Sequence, residues 1–224
     1  MKLSRASAKK LILLAVVLAC LLPAAPAAAG APAPTRAQAL AALKKADPRE
    51  RRRGALGLET AGLMDDAPAL IAALRDPDGS VRAVAEEALW AVWGRSGDAR
   101  VDALLKRGIE EMSAERLGEA IATFTRVIEL KPEFAEGWNK RATVYYLAGD
   151  YRRSLADCDE VIKRNPLHFG ALSGYGQIYL RLEQPGKALE YFRRALAVNP
   201  NLDGVQDMVE RLEELEARRR QNTI

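Results

Sequence analysis

The sequence predicts an all-α protein, a right-handed α-solenoid of helix pairs closed by one further helix. Pro132, Pro166 and Pro200 fall 34 residues apart, each at the end of an apolar-periodic run. Between them apolar or small residues recur with the i, i+3, i+4, i+7 spacing of one helix face. No run alternates apolar and polar residues between turn signals, as a half-buried strand would. The 224 residues are 49% hydrophobic, enough to bury a core and too many for a disordered chain. Two cysteines exclude a multi-disulfide scaffold, and a single histidine excludes the common zinc sites that need two.

The elements follow in chain order. Residues 1–10 carry Lys2, Arg5, Lys9 and Lys10 and no acid, and 11–22 are uncharged and apolar. Pro23 breaks that run, and Ala27-Ala28-Ala29 offers small residues before Gly30. This is the pattern of a cleaved export signal over residues 1–29. The apolar run reaches about 18 Å as a helix, short for a bilayer core of about 30 Å. Two alternatives stand beside cleavage: an uncleaved anchor, and lipidation at Cys20, where Val17-Leu18-Ala19-Cys20 partly resembles a lipoprotein box. The four basic residues of the signal account for the whole net charge of +4, so the remaining chain is formally neutral. Cleavage would leave Cys158 as the single cysteine, with no intramolecular disulfide to form.

Residues 30–36, Gly-Ala-Pro-Ala-Pro-Thr-Arg, read as an extended linker. Over 37–98, Asp47-Pro48 and Asp76-Pro77 lie 29 apart, each expected to cap a helix with proline in its first turn. Arg52-x-x-Ala55-x-x-Leu58 and Arg82-x-x-Ala85-x-x-Ala88-Leu89 follow them, with Ala67–Leu74 as a first helix of the second pair. The segment from Asp76 to Leu89 resembles a short HEAT repeat. Trp90 and Trp93, one turn apart, are expected to bury the junction with the next helix.

Setting each proline at repeat position 32 gives repeats 101–134, 135–168 and 169–202. The third reads Leu172-x-x-Tyr175-Gly176-x-x-Tyr179, then Ala188-x-x-x-Phe192-x-x-Ala195 and Pro200. The first shows Leu104, Gly108, Ala120, Phe124, Val127 and Pro132 in phase; the second shows Trp138, Ala142, Tyr145, Ser154, Cys158, Val161 and Pro166. This pattern resembles the tetratricopeptide repeat. Small residues at positions 8 and 20 let the two helices of a repeat approach, and each proline stops a second helix. Residues 203–220, with Val205, Met208, Val209, Leu212 and Leu215 on one side and charges on the other, read as a capping helix.

A search for chemistry returns packing at each point. Gly170, Gly174 and Gly176 have no strand before them and so no phosphate loop. Asp157, Asp159 and Glu160 read as a solvated face, His168 as a structural residue in an inter-repeat turn, and Cys158 as an inert buried thiol. Arg49, Arg51, Arg52, Arg53 and the Arg218–Arg220 run read as solvated faces, with anionic lipid or nucleic acid as the alternative partners. No cofactor, no metal and no nucleic-acid partner is expected, and no membrane span after cleavage.

The resemblance implies a concave face built from the first helix of each repeat, lined at positions 2, 5, 9, 12 and 13. Those are Asp102, Leu105, Ile109 and Met112; Glu136, Asn139, Thr143, Tyr146 and Leu147; and Ser173, Gln177, Leu180 and Arg181. Leu105, Ile109 and Met112 stand equally as core beneath the HEAT-like segment. Repeats of this family that clamp a C-terminal carboxylate use Lys and Asn at positions 5 and 9 of their first repeat, where Leu105 and Ile109 stand here. The function so implied is a non-catalytic adaptor or assembly factor of the bacterial cell envelope, holding a protein or peptide in the groove. A self-associating scaffold is the alternative within binding, and an enzyme with a site between the two modules the alternative outside it.

Overall fold

The computed structural model describes residues 34–221, the side chains of Arg219 and Arg220 apart; the expected signal and Cys20 lie outside the described residues. Among the described residues there are eleven α-helices, one short 3₁₀ turn and no strand. They are α1 (Arg36–Ala42), α2 (Pro48–Ala61), α3 (Ala67–Ala73) and α4 (Gly79–Trp93), then α5 (Ala99–Ser113), α6 (Leu117–Leu130), α7 (Ala135–Leu147), α8 (Tyr151–Arg164), α9 (Phe169–Arg181), α10 (Pro185–Val198) and α11 (Asp203–Gln221). The packing runs in pairs: α1 on α2, α3 on α4, and from α5 onward each helix on the next.

The residues that start these helices are largely the expected ones. Asp47 accepts from the Arg49 amide at 2.9 Å at the head of α2. At α4 the cap is Asp78, not Asp76: its carboxylate takes the amides of Ser80 and Val81. Asp76 is engaged instead by the Arg51 guanidinium through two bonds of 2.6 and 2.8 Å. The expected linker ends two residues early. Thr35 forms a reciprocal cap with Gln38, and Arg36 opens α1 and makes a paired bond to Asp66.

Within the repeats the proposed register holds at the helix crossings. A β-carbon on Gly108 would stand 2.5 Å from the Phe124 ring, and one on Gly176 2.3 Å from the Phe192 ring. Only glycine admits a phenyl ring that close to the facing backbone. In the second repeat Ala142 and Ser154 meet instead, the Ser154 hydroxyl donating to the Ala142 carbonyl at 2.7 Å. Asp157 departs from the expected solvated face. It is buried on α8 and held by the Arg141 guanidinium of α7 through two 2.8 Å bonds.

The capping helix buries Val209 and Leu212 against Ala188, Leu189 and Phe192. Its Gln206, Glu210 and Glu213 remain exposed, as does Leu215, expected on the apolar side. At the other end of the array, Ala103, Arg107 and Glu110 of α5 are likewise exposed. Those α5 residues stand where a preceding repeat would pack, so the N-terminal pairs do not stack ahead of the array.

Instead α4 lies along it. Ala39, Leu58, Leu70, Leu74, Ala88, Leu89 and Trp93 form one buried core with Phe169, Leu172, Ala195 and Val198 of the third repeat. Trp90 and Trp93 therefore do not cover the first repeat helix. Trp93 stacks on His168 at 4.5 Å, and Trp90 meets Phe169 edge-on at 5.1 Å, both at the turn between repeats two and three. Two indoles need broad apolar partners to leave water, and that turn supplies an imidazole, a phenyl ring and a side-chain-free glycine.

Candidate functional site

The concave face divides lengthwise. Its position-2 side, next to the turns that lead from one repeat to the following one, is closed by the N-terminal pairs. Asp102 accepts the Ser96 amide at 2.8 Å. Gly170 lies under Trp90, whose ring would come within 2.4 Å of a β-carbon there. Glu136 is buried in a polar cluster beneath Trp93: Lys140 stands 3.0 Å from one carboxylate oxygen, and Asn139 and His168 reach the other. Lys140 also lies 5.9 Å from the Trp90 ring.

The histidine is placed by its neighbours. The Ala171 amide donates to Nδ1 at 3.1 Å, which leaves the Nε2 hydrogen for Glu136 at 3.0 Å. His168 thus caps α9 and joins it to α7. Burial alone would raise the Glu136 carboxyl, but the Lys140 charge and then the His168 bond outweigh it and hold it at about 2. His168 is wholly enclosed and has both ring nitrogens engaged, so it holds the turn and has no access to a substrate. Cys158 is buried too, and its thiol is pushed above its ordinary range by burial and by the charges of Asp157 and Asp159.

The other side of the same face is open. Ile109, Thr143, Tyr146, Leu147, Ser173 and Gln177 are half-buried and Arg181 is exposed. Arg181 Nε donates to the Tyr146 hydroxyl at 3.1 Å, with the guanidinium 5.9 Å from that ring. The tyrosine ring rests against Tyr151 at 5.8 Å. This fixes a cation that has no carboxylate partner among the described residues. Leu105 and Met112 are each only 6% exposed and Asn139 8%, so these three belong to the core more than to the surface. Leu180 packs toward the Ala188 and Phe192 core.

Sequence reasoning missed the Glu136–Lys140–His168 cluster and the indoles above it. Charge at position 2 and a lone imidazole at the repeat end were visible, but only the fold sets them face to face. It also missed a row of rings between α9 and α10, where Tyr175 stacks on Tyr191 at 4.2 Å with Arg194 over the latter. The Tyr175 hydroxyl donates to Asp159. Among the described residues no three His, Cys, Asp or Glu side chains are grouped to hold a metal, and no helix is long and apolar enough to cross a membrane.

Comparison with known proteins supports the repeat assignment. The sequence profile of the tetratricopeptide repeat matches residues 105–161 and 141–202. A TPR repeat-containing protein of Rhizobium etli is 34% identical over 140 residues, which is 62% of this chain and 68% of that protein. Hsp70-Hsp90 organizing protein 1 of Glycine max is 27% identical over 50% of this chain, but only 20% of its own length is spanned. Among solved structures, the first TPR of Spaghetti (RPAP3), bound to an HSP90 peptide, superposes with a TM-score of 0.51 at 20% identity, covering 54% of this chain and 96% of that one. The Sgt2 TPR domain of Aspergillus fumigatus gives the same TM-score at 19% identity, over 55% and 83%. At that identity the two structures speak for the fold alone. With three in-phase repeats, glycine-fitted helix crossings and a Rhizobium relative matched over two thirds of its length, the chain belongs to the tetratricopeptide repeat family.

Proposed function

We propose that this protein is a non-catalytic adaptor that holds an extended segment of a partner protein against the open side of its concave face. The observation that carries this reading is the Tyr146–Arg181 pair: a cation held in place by a ring hydroxyl, with no carboxylate partner among the described residues, beside half-buried Thr143 and Gln177. Such a surface offers donors and acceptors to a peptide backbone and a charge to an acidic or carbonyl group. Relatives named as organizing proteins for Hsp70 and Hsp90 support a protein or peptide as the ligand class.

We read the two N-terminal pairs as HEAT-like and the basic, apolar and small-residue pattern of residues 1–29 as an export signal, and on that reading we propose a bacterial cell envelope as the adaptor's site of action. A self-associating scaffold is less well supported. Stacking of copies would join the ends of the array, and both ends present exposed polar side chains: Arg107 and Glu110 on α5, Gln206, Glu210 and Glu213 on α11.

The test is capture by crosslinking from an envelope extract, with the full chain as bait and mass spectrometry as the readout. Tyr146→Ala combined with Arg181→Glu should abolish the specific crosslinks while circular dichroism stays helical, because Arg181 is exposed and Tyr146 half-buried. Undiminished capture by the folded double variant would overturn the concave-face reading.

A further inference from the structure

The turns that link successive repeats are contacted by one continuous stretch of chain. At the turn between the first and second repeats, the Lys131 ammonium donates to the Ser96 carbonyl, just past α4. Between the second and third, Trp90 and Trp93 cover His168, Phe169 and Gly170. Between the third and the cap, Asn199 Nδ2 donates to Glu86 at 2.9 Å and Arg82 Nε to Asn201 at 2.9 Å. Arg75, just before α4, donates to the last carbonyls of α10, Ala197 and Val198, and Asn201 returns a bond of 2.8 Å to the Leu74 carbonyl.

An array of stacked repeats touches only its neighbours, so its curvature is the sum of small rotations at each junction and is soft. A helix of fifteen residues is about 22 Å long and stiff on that scale. Tying the last two of these junctions to one such helix, and the first to the loop that follows it, restricts the freedom of the superhelix to open or close there. From this geometry we propose that α4, with the residues flanking it, is an internal strap that fixes the curvature of the tetratricopeptide array and keeps the position-2 side of its concave face closed. The strap is fastened by apolar burial in the middle and by polar bonds at its far end, around Arg75, Arg82 and Asn201. This inference concerns the shape of the array and stands whether or not the partner sits where we propose.

The test unfastens the polar end and leaves the aromatic middle intact. Arg75→Ala, Arg82→Ala and Asn201→Ala are combined in the full chain carrying Cys20→Ser, which is spin-labelled at Glu110→Cys and Gln206→Cys, both exposed; Cys158 is buried and takes no label. Distances between the labels are read by electron–electron double resonance, and amide exchange by mass spectrometry. The strap predicts a narrow distance distribution for the parent and one about two-fold broader for the triple variant, with exchange in 67–82 and 195–203 faster by roughly ten-fold and 105–161 little changed. An unchanged distance distribution in a folded triple variant would overturn it, and so would uniformly faster exchange along the whole chain. If the triple variant does not fold, Arg82→Ala alone gives the same readouts at smaller amplitude. A control, Arg193→Ala, breaks only the pair with Glu213 on the cap and should leave 67–82 as it was.

Discussion

The two edges of the repeat array are built on opposite principles. Where each repeat turns from its first helix to its second, the chain closes on itself. Glu115, Gly149 and Glu183 occupy the same repeat position with φ of 58°, 78° and 57°, and the following amides bond back to Glu111, Tyr145 and Tyr179 at 2.9 Å. Those residues are exposed, and every bond is local. Where each repeat turns into the next, contacts are long-range: from Lys131 to Ser96 at the first junction, from His168 to Trp93 at the second, and across more than a hundred residues at the last, as from Arg82 to Asn201 and from Asn199 to Glu86. One edge needs nothing beyond its own turn. The other is finished only when the N-terminal pairs arrive, and the concave face inherits the difference: closed on the side of the long-range contacts, open on the side of the local ones.

The largest expected effect comes from removing the aromatic middle of the closed edge. Trp93 is 4% exposed and touches Trp90, His168 and Phe169. Trp93→Ala should cost about 3–5 kcal/mol in urea unfolding. A loss below about 1 kcal/mol would mean that the closed edge contributes little to holding the molecule together.

Next comes the polar cluster beneath it. The folded Glu136 carboxyl sits at about 2 against an ordinary 4.5, so its stabilisation is fully present above pH 4.5 and is lost as the pH falls through that value toward 2. Glu136→Gln should therefore cost about 1–3 kcal/mol at neutral pH and flatten the stability profile between pH 4.5 and 2. A variant profile that falls as steeply as the parent's would show that other carboxylates carry the acid sensitivity.

The smallest effect is on the local edge. Glu183 adopts the left-handed conformation that Gly149 supplies without strain in the second repeat. Glu183→Gly should stabilise the protein by about 1 kcal/mol and leave amide exchange at residues 195–203 unchanged relative to global stability. Destabilisation would mean that the Glu183 side chain makes a contribution its exposed position does not suggest.

What was legible in the sequence follows the same division. Proline spacing, small residues at the helix crossings and the polar outer face of α11 are all statements about neighbours in the chain, and Gly108 meets Phe124 and Gly176 meets Phe192 at the crossings that spacing implies. The N-terminal helices were legible as helices but not in position, because nothing in Trp90-x-x-Trp93 says which ring or glycine it will meet. Asp157 read as solvated for the same reason: its partner Arg141 lies on the facing helix, sixteen residues away. Of the residues expected to line the groove, Leu105, Met112 and Asn139 turned inward, and Thr143, Tyr146, Gln177 and Arg181 remain the accessible set. A repeat pattern assigns a residue to a face. Whether that face meets water depends on what else the chain folds against it.

The most direct test of this account is urea unfolding of the full chain followed at once by tryptophan fluorescence and by far-ultraviolet circular dichroism. In a Trp138→Phe background, which removes the one tryptophan inside the repeats, Trp90 and Trp93 report on the contact between the N-terminal pairs and the array, and the helical signal reports on all the repeats. Because Leu70, Leu89 and Trp93 share one core with Phe169, Leu172 and Val198, the two transitions should coincide in midpoint and slope. A fluorescence transition completed at lower urea, with most of the helical signal still present, would show that the N-terminal pairs are a separate unit resting on the array, and would contradict the claim that they close one side of its concave face.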